Sequence, residues 1–476
     1  MKKILALVLC LTLVLGLAAC GTSSKAETTT ASAAETTTAA AAETTTAAAE
    51  TTAAQESSSG EPVKITYSYW GTPDEAASVQ AVADKFNADH PNIQVEVMAI
   101  PNEEYTTKLN TMATANELPD CGIMNEAGVL DFADKDLLAD ISSMYEGADS
   151  MPLDCITFKS NGKPVAYSAA NEILTLYYNK KMFDAAGLSY PSATEPMSWD
   201  EFVETSKKLT LDANGKNATD PKFDANNIKQ YGCVVDNWTW QLEVWALSNG
   251  GSWFTSDGKT CNINQDATID SIQKVADLYL KDKVMPYNAG LEDNGIQRSI
   301  ATGTVAMATG GTWNVGTCLA TAKTDEGLEY GVAPLPYMKN KVTICTGGPQ
   351  VVFSQSKHQA EAMEFIKWYM QEENSWDSLI ATGIWMPILE KYYTDESLTH
   401  KWVDNPNFPP YDEYKPAVVD YAMNNAKSTC WYYTPHTDEF ITYLRSLLGP
   451  VWTGEQTAKD AINGGYDALN AILQGN

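Results

Sequence analysis

Along residues 63–124 the hydrophobic pattern switches between the two-residue period of a strand and the 3.6-residue period of a helix. VKITYSYWG (63–71) alternates and ends in glycine, which predicts a strand. Asp74 to His90 then carries Ala77, Val79, Val82, Ala83 and Phe86 at helical spacing, and Pro91 stops the helix. IQVEVMAI (93–100) alternates again; Tyr105, Leu109 and Met112 mark a helix over 103–117, and PDCGIM (119–124) reads as a short strand. Strand, helix, strand, helix, strand is the opening of an α/β sheet with parallel members.

A second strand-rich stretch, KPVAYSAANEILTLYYN (163–179), leads into helices over 180–187 and 198–210. Ser198, with Glu201 three residues on, forms a capping-box pattern at the start of the latter. A polar loop precedes a strand at YGCVVD (231–236), and a Trp-rich helix (238–249), an amphipathic helix (266–282) and a helix over 292–302 follow. TVAMAT (304–309) reads as a strand running into GGTWNVGTCLATA, a glycine turn that opens a helix. YGVAPLP and KVTICTGGPQVVFS read as strands, 358–381 as helices, and the chain beyond about 398 as helical with Pro-rich breaks. Neighbouring strand residues point to opposite faces, so Tyr177-Tyr178 is expected to span core and cleft.

The amino terminus follows neither period. Lys2 and Lys3 precede an apolar run over 4–19, short of the roughly 20 residues a membrane span needs. With its small-residue end it reads as a signal peptide, 1–19. LAACG (17–21) resembles the lipobox of bacterial lipoproteins. That resemblance implies a diacylated Cys20 as the first mature residue, an exported protein, and an anchor on the outer face of the cytoplasmic membrane. Residues 20–61 continue as Ala, Thr, Glu and Ser, with AETTT recurring at Ala26, Ala34 and Ala42. Without apolar surface to offset ordering entropy, this tract is expected to be a disordered spacer.

Charge narrows the function classes. The chain has 61 acidic and 32 basic side chains, a net charge of −29, so a nucleic-acid partner is not expected. Of the nine cysteines, Cys10 leaves with the signal peptide. The seven beyond Cys20 form no C-x-x-C and read mostly as small apolar fillers, a disulfide or two remaining open. The four histidines are scattered, and the G-x-S-x-G, H-E-x-x-H, Walker and G-x-G-x-x-G patterns are absent. The loop at 212–229 offers Asp212, Asn214, Asp220, Asp224 and Asn226, but Gly215 stands fourth where a calcium loop needs its glycine sixth. It reads as a solvated loop, and no metal or cofactor is expected. Thirteen Trp and 23 Tyr are numerous enough to furnish both cores and sugar-stacking faces.

Several segments taken in order are similar to the family 1 extracellular solute-binding proteins of ABC importers, the maltose-binding-protein-like group. They are KFNADHPNIQVEVMAIPNEEYTTKLNTMATANELPD, LTLYYNKKMFDAAGL, SWDEFVETSKKLT, YGCVVD, ATGTVAMATGGTWNVG, YGVAPLP and HQAEAMEFIKWYM, covering most of 63–390. The loop at 212–229 is longer than in many members, and the C-terminal part matches by helix content alone. The resemblance implies an α/β, two-lobed periplasmic-binding-protein-like fold, with hinge crossovers near 167–172, 345–352 and 398–410 and a ligand cleft between the lobes. The first lobe would be 62–168 plus 350–400 and the second 171–345 plus 405–476. Carried over position by position, it nominates Trp70 and Asp74 after the first strand, and Asp120, Asn125 and Glu126 around the third. It also nominates Asn171 and Glu172 in the hinge, Trp238, Trp240 and Trp313, the glycine turn Gly347-Gly348, and more loosely Trp385, Trp431 and Tyr433. Carboxylates accept paired sugar hydroxyls while tryptophan faces cover the C–H side of a ring. Trp245, Trp253, Trp368, Trp376 and Trp402 are expected in the core.

The function implied is a monomeric, lipid-anchored receptor, not an enzyme. It captures a carbohydrate, an oligosaccharide on the strength of its tryptophans, and passes it to ABC permease subunits. The alternatives are a surface glycosidase or polysaccharide lyase working through cleft carboxylates, and a purely structural lipoprotein.

Overall fold

Residues 61–70, 73–147, 152–287, 299–371, 374 and 380–475 are described by the computed structural model. The signal peptide, Cys20, the spacer, most of the 292–302 helix and Trp376 lie outside these residues. The strands form two sheets. β1 (Val63–Trp70), β2 (Ile93–Ile100), β3 (Cys121–Ile123), β4 (Phe158–Ser160) and β5 (Lys163–Ser168) belong to the first. β6 (Glu172–Asn179), β7 (Leu211–Asp212), β8 (Ile228–Val234), β9 (Val305–Gly311), β10 (Tyr330–Ala333) and β11 (Thr343–Thr346) belong to the second. β12 (Pro349–Val352) returns to the first sheet and β13 (Ala426–Ser428) to the second. The spatial orders are β2-β1-β3-β12-β5-β4 and β13-β11-β6-β9-β8-β7, with β10 also paired to β6.

The expected parallel opening is present: β1 pairs in parallel with both β2 and β3. Helices α1 (Pro73–Asp89) and α2 (Asn102–Ala115) make the connections. The periodic positions Val79, Val82, Ala83 and Phe86 are the buried face of α1. The capping box forms as read: the Ser198 N–H donates to Glu201 Oε2 at 2.8 Å, and the Glu201 N–H to Ser198 Oγ at 3.3 Å.

Two stretches that read by pattern as single strand regions divide between the sheets, at the places where the family resemblance puts crossovers, near 167–172 and 345–352. KPVAYSAANEILTLYYN breaks at 169–171, and KVTICTGGPQVVFS at Gly347-Gly348. These connections run side by side, with the Ala169 N–H donating to the Gly348 carbonyl at 2.7 Å. A Cβ on Gly347 would lie 1.9 Å from the Ala170 carbonyl oxygen, so only glycine allows the two backbones to touch. Three other local readings change. The Trp-rich helix begins as a tight turn over Thr239–Gln241 before the helix Leu242–Ser248. Gly310 and Gly311 continue β9, paired with Thr175 and Leu174 of β6, rather than forming a turn. Tyr177 and Tyr178 are both buried, because both faces of β6 are covered: Tyr177 donates to the Gly311 carbonyl and Tyr178 to Glu413.

Trp245, Trp253 and Trp402 are core residues, and Trp368 packs half-buried on Phe86. All seven described cysteines are free thiols. Asp212 closes its loop by accepting the N–H groups of Asn214, Lys216 and Asp224, and the described residues contain no cluster of three potential metal ligands. No described helix is long and apolar enough to cross a membrane.

Candidate functional site

The ends of strands from both sheets converge on a cavity of about 320 Å3. β3 runs into Asn125, whose side chain accepts the Ala127 N–H at 3.0 Å and so caps helix α3 (Glu126–Asp134). That cap turns Glu126 toward the cavity, where the Thr346 hydroxyl donates to its Oε1 at 2.7 Å. Glu172, the first residue of β6, faces the same space from the inter-sheet connection. Burial pushes the Glu126 carboxyl up to about 7, although the Thr346 hydroxyl and the N–H groups of Glu126 and Gly347 oppose the rise. Burial, with the nearby charge of Glu126, holds Glu172 well above the usual carboxylate range.

The facing wall is tryptophan. Trp238 and Trp240 follow the end of β8, Trp313 follows β9, and Trp431 lies in the short turn Cys430–Tyr432 after β13. Trp240 is the hub: its ring centroid is 5.0 Å from Trp431, 6.3 Å from Trp313 and 6.4 Å from Trp238. The sequence GGTWN has a specific reason to begin with glycine here. A Cβ on Gly311 would lie 1.8 Å from Trp313 Cζ3, so the indole rests on bare backbone. The Asn314 amide donates to the Gly311 carbonyl at 2.8 Å, and the Thr312 N–H to the Ile173 carbonyl at 3.0 Å, pinning the turn to β6.

The cavity thus brings together Asn125, Glu126, Glu172, Trp238, Trp240, Trp313 and Trp431 from the nominated set. The others are elsewhere. Trp70 packs edge-on against Tyr105, 5.5 Å between centroids. Asp74 is in the first turn of α1, with its side chain outside the described residues. Asp120 is occupied structurally, accepting the Thr66 N–H at 2.8 Å and the Ser356 hydroxyl at 2.6 Å. Asn171 is fully buried and donates to the Tyr393 hydroxyl at 2.8 Å. The close approach at Gly347 is to the chain's own Ala170 carbonyl, and at Gly348 to Ile123. Trp385 packs half-buried on the core. Tyr433 donates to Glu243 at 3.3 Å, behind the wall; burial pushes Glu243 up to about 7. Sequence reasoning missed Ala127 and Thr346, and also Asp438, Ile441 and Arg445 of the helix Thr437–Thr453. Those last three lie three and four residues apart, the spacing of one helix face, in a segment read only as helical.

Residues 70–376, well over half of the chain, match the family described as bacterial extracellular solute-binding protein. The chain belongs to the bacterial extracellular solute-binding proteins. This is a family of binding proteins rather than enzymes. A maltotriose-binding protein of Pyrococcus abyssi is 24% identical over 341 residues, 68% of this chain and 66% of that protein, just under two thirds of its length. Two solved solute-binding proteins share the two-lobed α/β fold. One, from Listeria monocytogenes in complex with cycloalternan, superposes with a TM-score of 0.71 at 22% identity, covering 87% of this chain and 99% of its own. The other, the cyclic alpha-maltosyl-1,6-maltose binding protein of Arthrobacter globiformis, gives 0.69 at 23%, covering 87% and 100%.

Proposed function

We propose that this solute-binding protein captures a carbohydrate, a short oligosaccharide, and delivers it to the permease of an ABC importer. The observation that carries this reading is the wall of four indoles around Trp240 facing Glu126 and Glu172 across one cavity. Indole faces pack on the apolar side of a pyranose, and carboxylates accept its hydroxyls. A volume of about 320 Å3 is near the lower end for ligand pockets, which suits a few sugar rings rather than a long chain. The maltotriose-binding relative and the cycloalternan-bound neighbour support the same ligand class. In this reading a monomer of two lobes, 62–168 with 350–400 and 171–345 with 405–476, closes on the sugar by a hinge. Acylated Cys20 and the 20–61 spacer keep it beside its permease on the membrane's outer face.

Titrating intrinsic tryptophan fluorescence against oligosaccharides of different linkage tests the ligand class. A saturable change with at least one sugar is expected. Silence across the panel, with a response to an amino acid or polyamine, would replace sugar with another ligand.

A further inference from the structure

The charge balance of the cavity singles out a narrower ligand chemistry, resting on the sugar reading above. Glu126 (α3) and Glu172 (β6) meet at Thr346: its hydroxyl donates to Glu126 at 2.7 Å, its backbone is paired with Glu172 in the sheet, and both glutamates line the cavity with no ion pair to a cation among the described residues. Three donors already serve Glu126: the Thr346 hydroxyl and the N–H groups of Gly347 and Glu126 itself. The Glu172 carboxyl receives no hydrogen bond from any described residue, although it is half-buried and lines the cavity. The other charged groups there, Asp438 and Arg445, share one helix, and the Arg445 charge acts on Asp438. Behind the pair stands Tyr432, 6% exposed, its hydroxyl without a partner and within the field of both glutamates.

Two half-desolvated carboxyls facing one cavity each disfavour ionisation of the other in the empty protein. A neutral hydroxyl leaves that repulsion in place, whereas an ammonium seated against Glu172 allows both to ionise and gains charge-assisted hydrogen bonds. The indole wall adds the face-on attraction of aromatic rings for cations. We propose that the site is selective for an amino sugar, a saccharide carrying a free protonated amine, held by Glu172 beside Glu126 with its ring on the tryptophan wall.

The test is calorimetric titration of the intact protein with matched pairs differing only in amine against hydroxyl. Suitable pairs are glucosamine and glucose, galactosamine and galactose, and chitosan and cellulose oligomers of equal length. The amine member of at least one pair should bind about tenfold more tightly or better, charge-assisted hydrogen bonds being roughly twice as strong as neutral ones. At a pH low enough that the free amine is already protonated, its binding should release protons from the carboxyl pair, seen as a dependence of the heat on the buffer's ionisation enthalpy. Glu172→Gln, confirmed folded by an unchanged circular dichroism spectrum, should abolish both the preference and the proton release. Should Glu172→Gln not fold, Glu126→Gln serves, with proton release again expected to vanish. Neutral members binding as tightly as amines in every pair would overturn the amine preference and leave the sugar reading standing. Neither member binding in any pair, with no response to the wider oligosaccharide panel, would overturn both.

Discussion

Replacing Gly311 by alanine should dislodge the tryptophan wall through one methyl group. The new Cβ would lie 1.8 Å from Cζ3 of Trp313 and 2.1 Å from two further atoms of its ring. Ordinary carbon–carbon contact is about 3.5–4.0 Å, so the indole must retreat by roughly 1.5–2 Å. The backbone at Gly311 is not left-handed and pairs as strand with Leu174, so alanine is tolerated there apart from the ring. The expected cost is that of overpacking, about 1–3 kcal/mol. Displacing Trp313 also removes it from Trp240, and sugar affinity should fall with stability. Urea unfolding of the wild type, Gly311→Ala, Trp313→Ala and the double variant isolates the cause. If the clash is with the indole, Gly311→Ala should cost less than about 0.5 kcal/mol once Trp313 is already alanine. A penalty of equal size in both backgrounds would mean that the added methyl clashes with something other than the indole.

Gly347→Ala presses a Cβ against the backbone carbonyl of Ala170 at 1.9 Å, where no rotamer change gives relief. It should lower stability by about 3 kcal/mol in chemical denaturation, the upper part of the overpacking range. Glu243, 1% exposed, has its carboxyl raised from 4.5 to about 7 by burial. The folded state therefore holds the proton more tightly, so the stability this group contributes is fully present below about pH 4.5 and is lost as pH rises through about 7. The loss amounts to about 3 kcal/mol, and Glu243→Gln should flatten the profile of unfolding free energy between pH 4 and 8 by that amount. In the lipid-anchored reading proposed above, Cys20→Ala should move the protein from the detergent phase to the aqueous phase in a Triton X-114 partition of expressing cells, because it removes the proposed attachment point for acyl chains.

The α/β framework was legible because its signal is local. Alternation in β1 and β2, helical spacing in α1 and the Ser198/Glu201 box each report on a few consecutive residues. The division of KVTICTGGPQVVFS between two sheets was legible only through the family resemblance, which puts a crossover near 345–352; the residue pattern alone does not show it, since a strand bonded to one sheet looks like a strand bonded to another. At the site, Trp238, Trp240, Trp313 and Trp431 were nominated through the family resemblance and share the cavity, whereas Trp70, nominated the same way, packs on Tyr105. Asp120 was not separable from a ligand carboxylate, because its partners Thr66 and Ser356 are far away in sequence. Asp438, Ile441 and Arg445 were overlooked for a related reason. Periodicity shows that three residues share a helix face, while only packing shows that this face borders the cavity.

A crystal structure with bound oligosaccharide would show whether the tryptophan wall and Glu172 hold the ligand. A sugar ring should be stacked on the Trp240 cluster with a donor group within hydrogen-bonding distance of Glu172. A sugar bound with its rings away from Trp240 and Glu172, in an otherwise unchanged fold, would contradict that role.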